Sequence, residues 1–225
     1  MNKIKGLCRE KERLYVLIDN MKSILVFLVL LNSCKQEIPK LVTIKTDVEF
    51  LSDDALEGRQ TGTKGEEKAV KYIAQRFKGL GLKPKGTEVY SQKFSFKPKT
   101  NPHQKVNYTV IEGDSTITGT NVVGFIDNKA ENTVVIGAHF DHLGYGAEGS
   151  LFRGETKQIH NGADDNASGV AVLLNLANKL KNSNKGNNYL FIAFSGEEMG
   201  LLGSNYYVKN ATIDTKKVNY MINMD

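Results

Sequence analysis

The hydrophobic pattern in the second half of the chain predicts three apolar strands. The first two are continuous apolar runs rich in β-branched or aromatic residues, which is typical of strands covered on both faces. The runs are 134–138, 190–194 and 218–225. Between the first two, apolar positions recur at helical spacing and predict a helix. These positions are Val170, Leu173, Leu174 and Ala177. Alternating strands and helices predict a three-layer α/β fold around a central mixed, mainly parallel sheet.

The first half of the chain predicts further helices and strands. A capping box from Thr63 to Glu66 begins a helix whose apolar positions continue to Phe77, and glycines then end it. A short helix and a loop are expected before it, within 41–60. His103 lies in a polar loop, where a solvated imidazole is expected. The predicted strands of this half are 92–96, 106–111 and 121–126.

A histidine or a carboxylate follows each of the three predicted core strands. His139 and Asp141 follow the first strand, Glu197 and Glu198 follow the second, and Asp225 ends the third. Ligand crevices in open α/β sheets lie outside the carboxyl ends of the strands, so we expect these side chains to meet. The carboxylate of Asp141 is expected to accept the second ring N–H of His139 and to fix its tautomer.

Two aspartates, Asp164 and Asp165, lie in a glycine-bracketed turn before the predicted helix. Acids at such a position often cap a helix or complement its dipole, but two adjacent aspartates exceed what capping requires. One of them is therefore a candidate for the same site. The residues alone do not decide between Asp164 and Asp165, or between Glu197 and Glu198.

Imidazole and clustered carboxylates without a neighbouring cysteine suit Zn²⁺ or a similar divalent ion. Several carboxylates can hold two ions with one carboxylate bridging, and a glutamate outside the ligand set is a natural general base. Serine hydrolysis is not indicated, because Ser168 and Ser195 lack the G-x-S-x-G elbow. The sequence also lacks a phosphate-binding glycine loop.

The composition is that of a globular protein with one main domain, since 40% of the 225 residues are hydrophobic and 24% are charged. The net charge of +5 does not indicate a nucleic-acid partner. Residues 1–33 carry six basic and three acidic side chains, so the remainder of the chain has a net charge of only +2.

The N-terminal segment has the features of a bacterial secretory signal. Lys22 precedes an apolar run at 24–31 that is too short to span a bilayer. Residues 31–34 resemble a lipoprotein box, so we expect Cys34 to carry a lipid. The sequence leaves the true start open between Met1 and Met21. The expected location is the cell envelope, at the periplasmic or outer-membrane face. The predicted organisation is a signal segment at 1–33, a tether at 34–47 and a folded domain at 48–225.

Several motifs together resemble the M28 zinc peptidases, a family that includes aminopeptidases with two co-catalytic zinc ions. These motifs are HFDH, IHNGADDNASG and FSGEEMGLLGS, and the earlier stretch LEGRQTGTKGEEKAVKYIAQRFKGLGLKP is similar to the family's N-terminal region. The resemblance covers roughly residues 48–225.

The resemblance implies a role for each candidate residue. The implied zinc ligands are His139 and Asp225 for one ion, Glu198 for the other, and Asp165 as the bridge between them. The implied catalytic residues are Glu197, as the general base, and Asp141, as the residue that orients His139.

The chain also departs from the family pattern. In the family a further histidine, well beyond the position of Asp225, completes the second zinc site. We therefore expect the chain to be C-terminally truncated and its sheet to have an exposed edge. His142 and His160 are assigned to loops that flank the site.

The function that this resemblance implies is that of an exported, lipid-anchored zinc aminopeptidase acting on peptides. The alternatives are cyclisation of N-terminal glutamine, carboxypeptidase cleavage, and a non-catalytic ectodomain that keeps the fold for binding. The oligomeric state stays open.

Overall fold

The computed structural model of the protein describes residues 42–98, 106–146, 150–182 and 185–225. Val42 to Asp225 form one unit by their contacts. The predicted signal segment, Cys34 and His103 lie outside the described residues. Within the four described ranges, no helix combines the length and the apolar character that crossing a membrane requires.

Helices and strands alternate along the described chain, as the hydrophobic pattern predicts. The helices are α1 (Ile44–Leu51), α2 (Lys64–Gly79), α3 (Gly169–Leu180) and α4 (Leu202–Lys209). The strands are β1 (Lys83–Pro84), β2 (Ser91–Phe96), β3 (Ile117–Ile126), β4 (Thr133–His139), β5 (Asn188–Phe194) and β6 (Val218–Met224). Two 3-10 turns, Asp54–Arg59 and Thr215–Lys217, precede α2 and β6.

The strands form one mixed sheet in the order β1-β3-β5-β4-β6, with β2 also paired to β3. β4 is parallel to both of its neighbours, whereas β3 is antiparallel to each of its partners. His139 lies opposite Phe194 of β5, and Ala138 lies opposite Met224 of β6. The carboxyl ends of three parallel strands therefore meet at one edge of the sheet, and the predicted α/β fold is confirmed.

Apolar side chains cover both faces of the sheet. Val134 and Ile136 of β4 belong to a core cluster with residues of α1, α2 and α3. Val135 belongs to a second cluster that includes Tyr207 of α4. Strands β4 and β5 are buried along their whole length, as expected of strands covered on two sides. The core of the sheet thus holds the ends of these two strands firmly in place.

The predicted strand at 106–111 is wrong, because these residues form no strand, although the Lys97 N–H donates to the Asn107 carbonyl at 3.1 Å. Val106 and Tyr108 pack against the cluster around Phe94, which accounts for the alternating pattern. The side chain of Asn107 accepts a hydrogen bond from the Thr109 N–H at 2.8 Å. Such a local bond competes with pairing to a neighbouring strand.

Strand β6 pairs with β4 and shows the exposed apolar character that we expect of an edge. Its pairing partner among the described strands is β4 alone. The side chains of Tyr220, Met221 and Ile222 are about half exposed.

Candidate metal centre and active site

His139 ends β4 and is 3% exposed. Its Nδ1 lies 3.1 Å from the main-chain oxygen of Asp141 and 3.7 Å from the nearest carboxylate oxygen of that residue. Asp141 thus contacts the ring mainly through its main-chain carbonyl, whereas the sequence predicts a hydrogen bond to its carboxylate. The carboxylate lies slightly farther from the ring and accepts hydrogen bonds from other donors. A carbonyl acceptor at Nδ1 leaves Nε2 available as a ligand atom.

The carboxylate of Asp141 is fully buried and holds the loop that follows β5. It accepts hydrogen bonds from the main-chain N–H groups of Glu197 and Glu198, at 3.1 and 3.3 Å. The hydroxyl of Thr61 also donates to it, at 3.1 Å. Asp141 therefore fixes the backbone of both glutamates relative to the end of β4.

Asp165 lies in the turn Ala163–Ser168, where the backbone leaves helical geometry at Asp165 and Asn166. Asn166, not an aspartate, makes the cap bond to α3, because its Oδ1 accepts from the Gly169 N–H at 2.9 Å. Its Nδ2 donates to the Met224 carbonyl, also at 2.9 Å. Asn166 thus ties the turn to the end of β6, and the Asp165 carboxylate points towards His139.

Two clusters of potential metal ligands share Asp165. The first contains His139, Asp165 and Asp225, with Nε2 of His139 3.2 Å from Asp165 and 3.1 Å from Asp225. The second contains His142, Asp165 and Glu198. In each cluster the donor atoms lie within 4.8 Å of one another. Every metal ligand that the resemblance implies therefore falls into one of these clusters.

His142 belongs to the second cluster, whereas the sequence predicts it in a loop that flanks the site. Its Nδ1 lies 2.5 Å from Glu198 Oε1 and 3.7 Å from Asp165 Oδ2. The ring packs against Gly162, which has a φ of +55° and where a Cβ would approach the imidazole within 2.6 Å. The signal in the sequence was the second histidine of HFDH, three residues after His139. His160, by contrast, contacts the hydroxyl of Ser150 at 3.1 Å.

Arg59 is a further site residue that the hydrophobic pattern does not reveal. It is fully buried, and its guanidinium donates to main-chain carbonyls on both ligand-bearing loops. The acceptors are Phe140 at 2.7 Å, Asn161 at 2.7 Å and Gly162 at 2.9 Å, together with Leu51 at the end of α1. One side chain thus connects the segment after β4 with the turn that carries Asp165.

The electrostatics of the site favour a bound cation. Burial disfavours a charged imidazole, but the neighbouring Asp141 and Asp225 outweigh it and raise the pKa of His139 to about 9. Burial and the neighbouring carboxylates raise the pKa of Glu197 above its usual range, against the opposing effect of His139. The side chains of Asp165 and Asp225 are 58% and 64% exposed.

The fold and the site define an α/β protein with two imidazole–carboxylate clusters that could hold metal ions at the carboxyl ends of parallel strands. Imidazole and carboxylate donors fit Zn²⁺ in type, and a carboxylate shared by two clusters suits two neighbouring ions. Residues 121–225 match the sequence model of peptidase family M28. The resemblance is confirmed for this part of the chain, which matches the sequence model of that family.

Known proteins similar to this chain extend the comparison. This chain is 31% identical over 170 residues to the alkaline phosphatase isozyme conversion protein of Escherichia coli (strain K12). The alignment covers 75% of this chain and 46% of that protein. The chain is 38% identical over 111 residues to a probable leucine aminopeptidase of Trichophyton verrucosum (strain HKI 0517), covering 47% of this chain and 27% of the relative. The chain thus spans less than half the length of these relatives.

A solved structure shows the same fold. The glutaminyl cyclase of Bacteroides thetaiotaomicron bound to N-acetylhistamine superposes with a TM-score of 0.62 at 17% identity, covering 81% of this chain and 60% of that one. At 17% identity, the similarity between the two proteins is a similarity of fold alone.

Proposed function

We propose that the chain carries the catalytic site of a zinc-dependent aminopeptidase that hydrolyses the N-terminal peptide bond. The observation that carries this proposal is the sharing of Asp165 by two ligand clusters. His139, Asp165 and Asp225 would hold one ion, and Asp165 and Glu198 would hold the other, with His142 beside them. The aminopeptidase name of the Trichophyton relative supports the substrate class.

Zinc at these positions would polarise the scissile carbonyl and make a water molecule acidic enough to give up a proton near neutral pH. Glu197 belongs to neither cluster, yet it lies next to Glu198 with its backbone held by Asp141. Its carboxylate would take the proton from the attacking water and pass it to the leaving amine. Asp141 would keep the backbone of Glu197 and Glu198 in place during this step.

Replacement of Glu197 by glutamine tests this assignment. The amide cannot accept the proton, so we expect turnover of a peptide substrate to fall by about 10²- to 10⁴-fold, while bound zinc stays unchanged. A matched control is Glu131→Gln, which makes the same change in an exposed turn before β4. Steady-state kinetics and metal analysis measure both effects. Full activity of Glu197→Gln would exclude Glu197 as the general base.

A second candidate is cyclisation of N-terminal glutamine, which the likeness to a glutaminyl cyclase fold favours. The two reactions differ in product, because cyclisation releases ammonia and leaves the peptide bond intact. Peptides that begin with leucine and with glutamine separate them, when free amino acid and ammonia are both measured. Release of the N-terminal residue from the leucine peptide supports the aminopeptidase.

We propose in addition that the protein is exported and anchored to the cell envelope through a lipid on Cys34. The apolar run at 24–31 and the lipoprotein-like residues 31–34 support this. Labelling of cells with a radioactive fatty acid should mark the wild-type protein but not the Cys34→Ala variant. Equal labelling of the two would refute the anchor.

A further inference from the structure

Glu66 is a buried acid in the first turn of α2 to which the proposed reaction gives no role. Its side chain is 3% exposed. Oε2 accepts a hydrogen bond from the Gly62 N–H at 2.6 Å, and Oε1 accepts one from the Thr120 N–H at 2.9 Å. The first bond belongs to the cap of α2, but the second reaches across to β3. Capping alone therefore does not explain this residue.

A line of side-chain contacts leads from Glu66 to the active-site loop. The hydroxyl oxygen of Ser195 lies 2.5 Å from Glu66 Oε1 and 3.2 Å from the hydroxyl oxygen of Thr61. Thr61 in turn lies 3.1 Å from the carboxylate of Asp141. Ser195 and Asp141 are fully buried, and Thr61 is 3% exposed, so water does not compete for these contacts. The line ends at the acid that holds Glu197 and Glu198.

The protonation state of Glu66 decides how many of these three contacts can be hydrogen bonds. Each hydroxyl can donate one hydrogen bond. If both acids are ionised, Ser195 donates to Glu66 and Thr61 donates to Asp141, and the contact between the two hydroxyl oxygens has no proton. If Glu66 carries a proton, it donates to Ser195, Ser195 donates to Thr61, and Thr61 donates to Asp141. All three contacts are then hydrogen bonds.

We propose that Glu66 is a protonated positioning residue, which orients the Asp141 carboxylate through Ser195 and Thr61 and so sets the backbone of Glu197 and Glu198. This inference rests on the proposed function for its effect on turnover, while its effect on the backbone is independent of it. Burial supports the protonated form, since it raises the pKa of Glu66 to about 7 against the hydrogen bonds that it accepts. Asp141, at the other end of the line of contacts, is the neighbouring charged side chain, and its negative charge raises the pKa of Glu66 further.

Thr61 offers the cleanest test, because Thr61→Val removes the hydroxyl at nearly constant size and Thr61→Ser retains it. We expect Thr61→Val to lower kcat about tenfold at nearly unchanged KM, and Thr61→Ser to restore most of it. Glu66→Gln should also lower kcat, because an amide nitrogen cannot donate to Ser195 and accept from Thr120 together. The double variant should lose no more than the worse single variant, since both changes break one line. Glu67→Gln, an exposed neighbour in the same helical turn, is the matched control.

Hydrogen exchange at the Glu197 and Glu198 amides gives a readout that needs neither zinc nor turnover. We expect Thr61→Val and Glu66→Gln to speed exchange at both amides, and Glu67→Gln to leave it unchanged. Unchanged exchange in Thr61→Val, or losses that multiply in the double variant, would overturn the positioning role. If the wild-type chain cleaves no peptide but exchange responds as expected, the proposed function fails and the positioning role stands.

Discussion

Asp165 belongs to both ligand clusters, whereas its neighbour Asp164 belongs to neither. The sequence could not choose between these two acids, because adjacent residues in an irregular turn can face either way. The structure makes the choice through Asn166, which caps α3 and bonds to the end of β6. In the same way, Glu197 and Glu198 are equivalent in the sequence, and Glu198 is the one that reaches His142 and the second cluster.

This difference between the aspartates predicts unequal effects of the same substitution. Asp165→Asn should remove zinc from both positions, because an amide oxygen is a much weaker bridging ligand than a carboxylate. Asp164→Asn should leave the amount of bound zinc unchanged. Metal analysis after dialysis measures the effect. If the two variants retained equal zinc, Asp165 would not be the shared ligand.

At the scale of elements, Arg59 joins α1, the segment after β4 and the turn before α3. Burial lowers the pKa of its guanidinium to about 10, with Asp141, Asp165 and Glu198 opposing the shift, so it stays charged at neutral pH. The charge is balanced by those carboxylates and by the carbonyl oxygens that accept its hydrogen bonds. Arg59 therefore contributes both to the stability of the fold and to the spacing of the ligands.

Replacement of Arg59 should destabilise the protein strongly. Arg59→Leu leaves buried carbonyls without a donor, so we expect the free energy of unfolding to fall by about 3 kcal/mol. Arg153→Leu changes an exposed arginine and should alter it by less than about 0.5 kcal/mol. Urea denaturation followed by circular dichroism compares them. Equal midpoints for both variants would show that the Arg59 contacts contribute little.

The sequence predicts well the elements whose own residues form a hydrophobic pattern. β4 and β5 are recognisable from continuous apolar runs and β6 from an apolar segment that two asparagines interrupt, and the polar residues after them do meet at one edge of the sheet. Arg59, Thr61 and Asn166 carry no such signal, because each acts through partners that are distant in the chain. The segment 106–111 shows the opposite error, since its alternation arises from packing of two side chains and not from strand pairing.

At the scale of the whole molecule, Glu66 should make stability depend on pH. Its pKa rises from an ordinary 4.5 to about 7 in the folded protein, so the folded state binds more protons than the unfolded state between these values. The proton on Glu66 therefore stabilises the folded protein fully below about pH 4.5, and this stabilisation is lost as the pH rises to about 7. The full loss is about 3 kcal/mol at most.

Comparison of the wild type with Glu66→Gln isolates this contribution, because other titrating groups are common to both proteins. Urea denaturation at pH values from about 5 to 8 gives the difference in the free energy of unfolding. We expect the wild type to lose stability relative to the variant as the pH rises. A difference that is constant over this range would show that Glu66 does not hold a proton in the folded protein.

We propose that the ends of β4, β5 and β6, together with the turn that carries Asp165, form a zinc centre whose two ligand clusters share that residue. The most direct test is the number of zinc ions bound per wild-type chain after equilibrium dialysis, with Asp165→Asn as the reference for adventitious binding. We predict at least one zinc ion per wild-type chain and none in the variant. A wild-type chain that binds no more zinc than Asp165→Asn would contradict the claim.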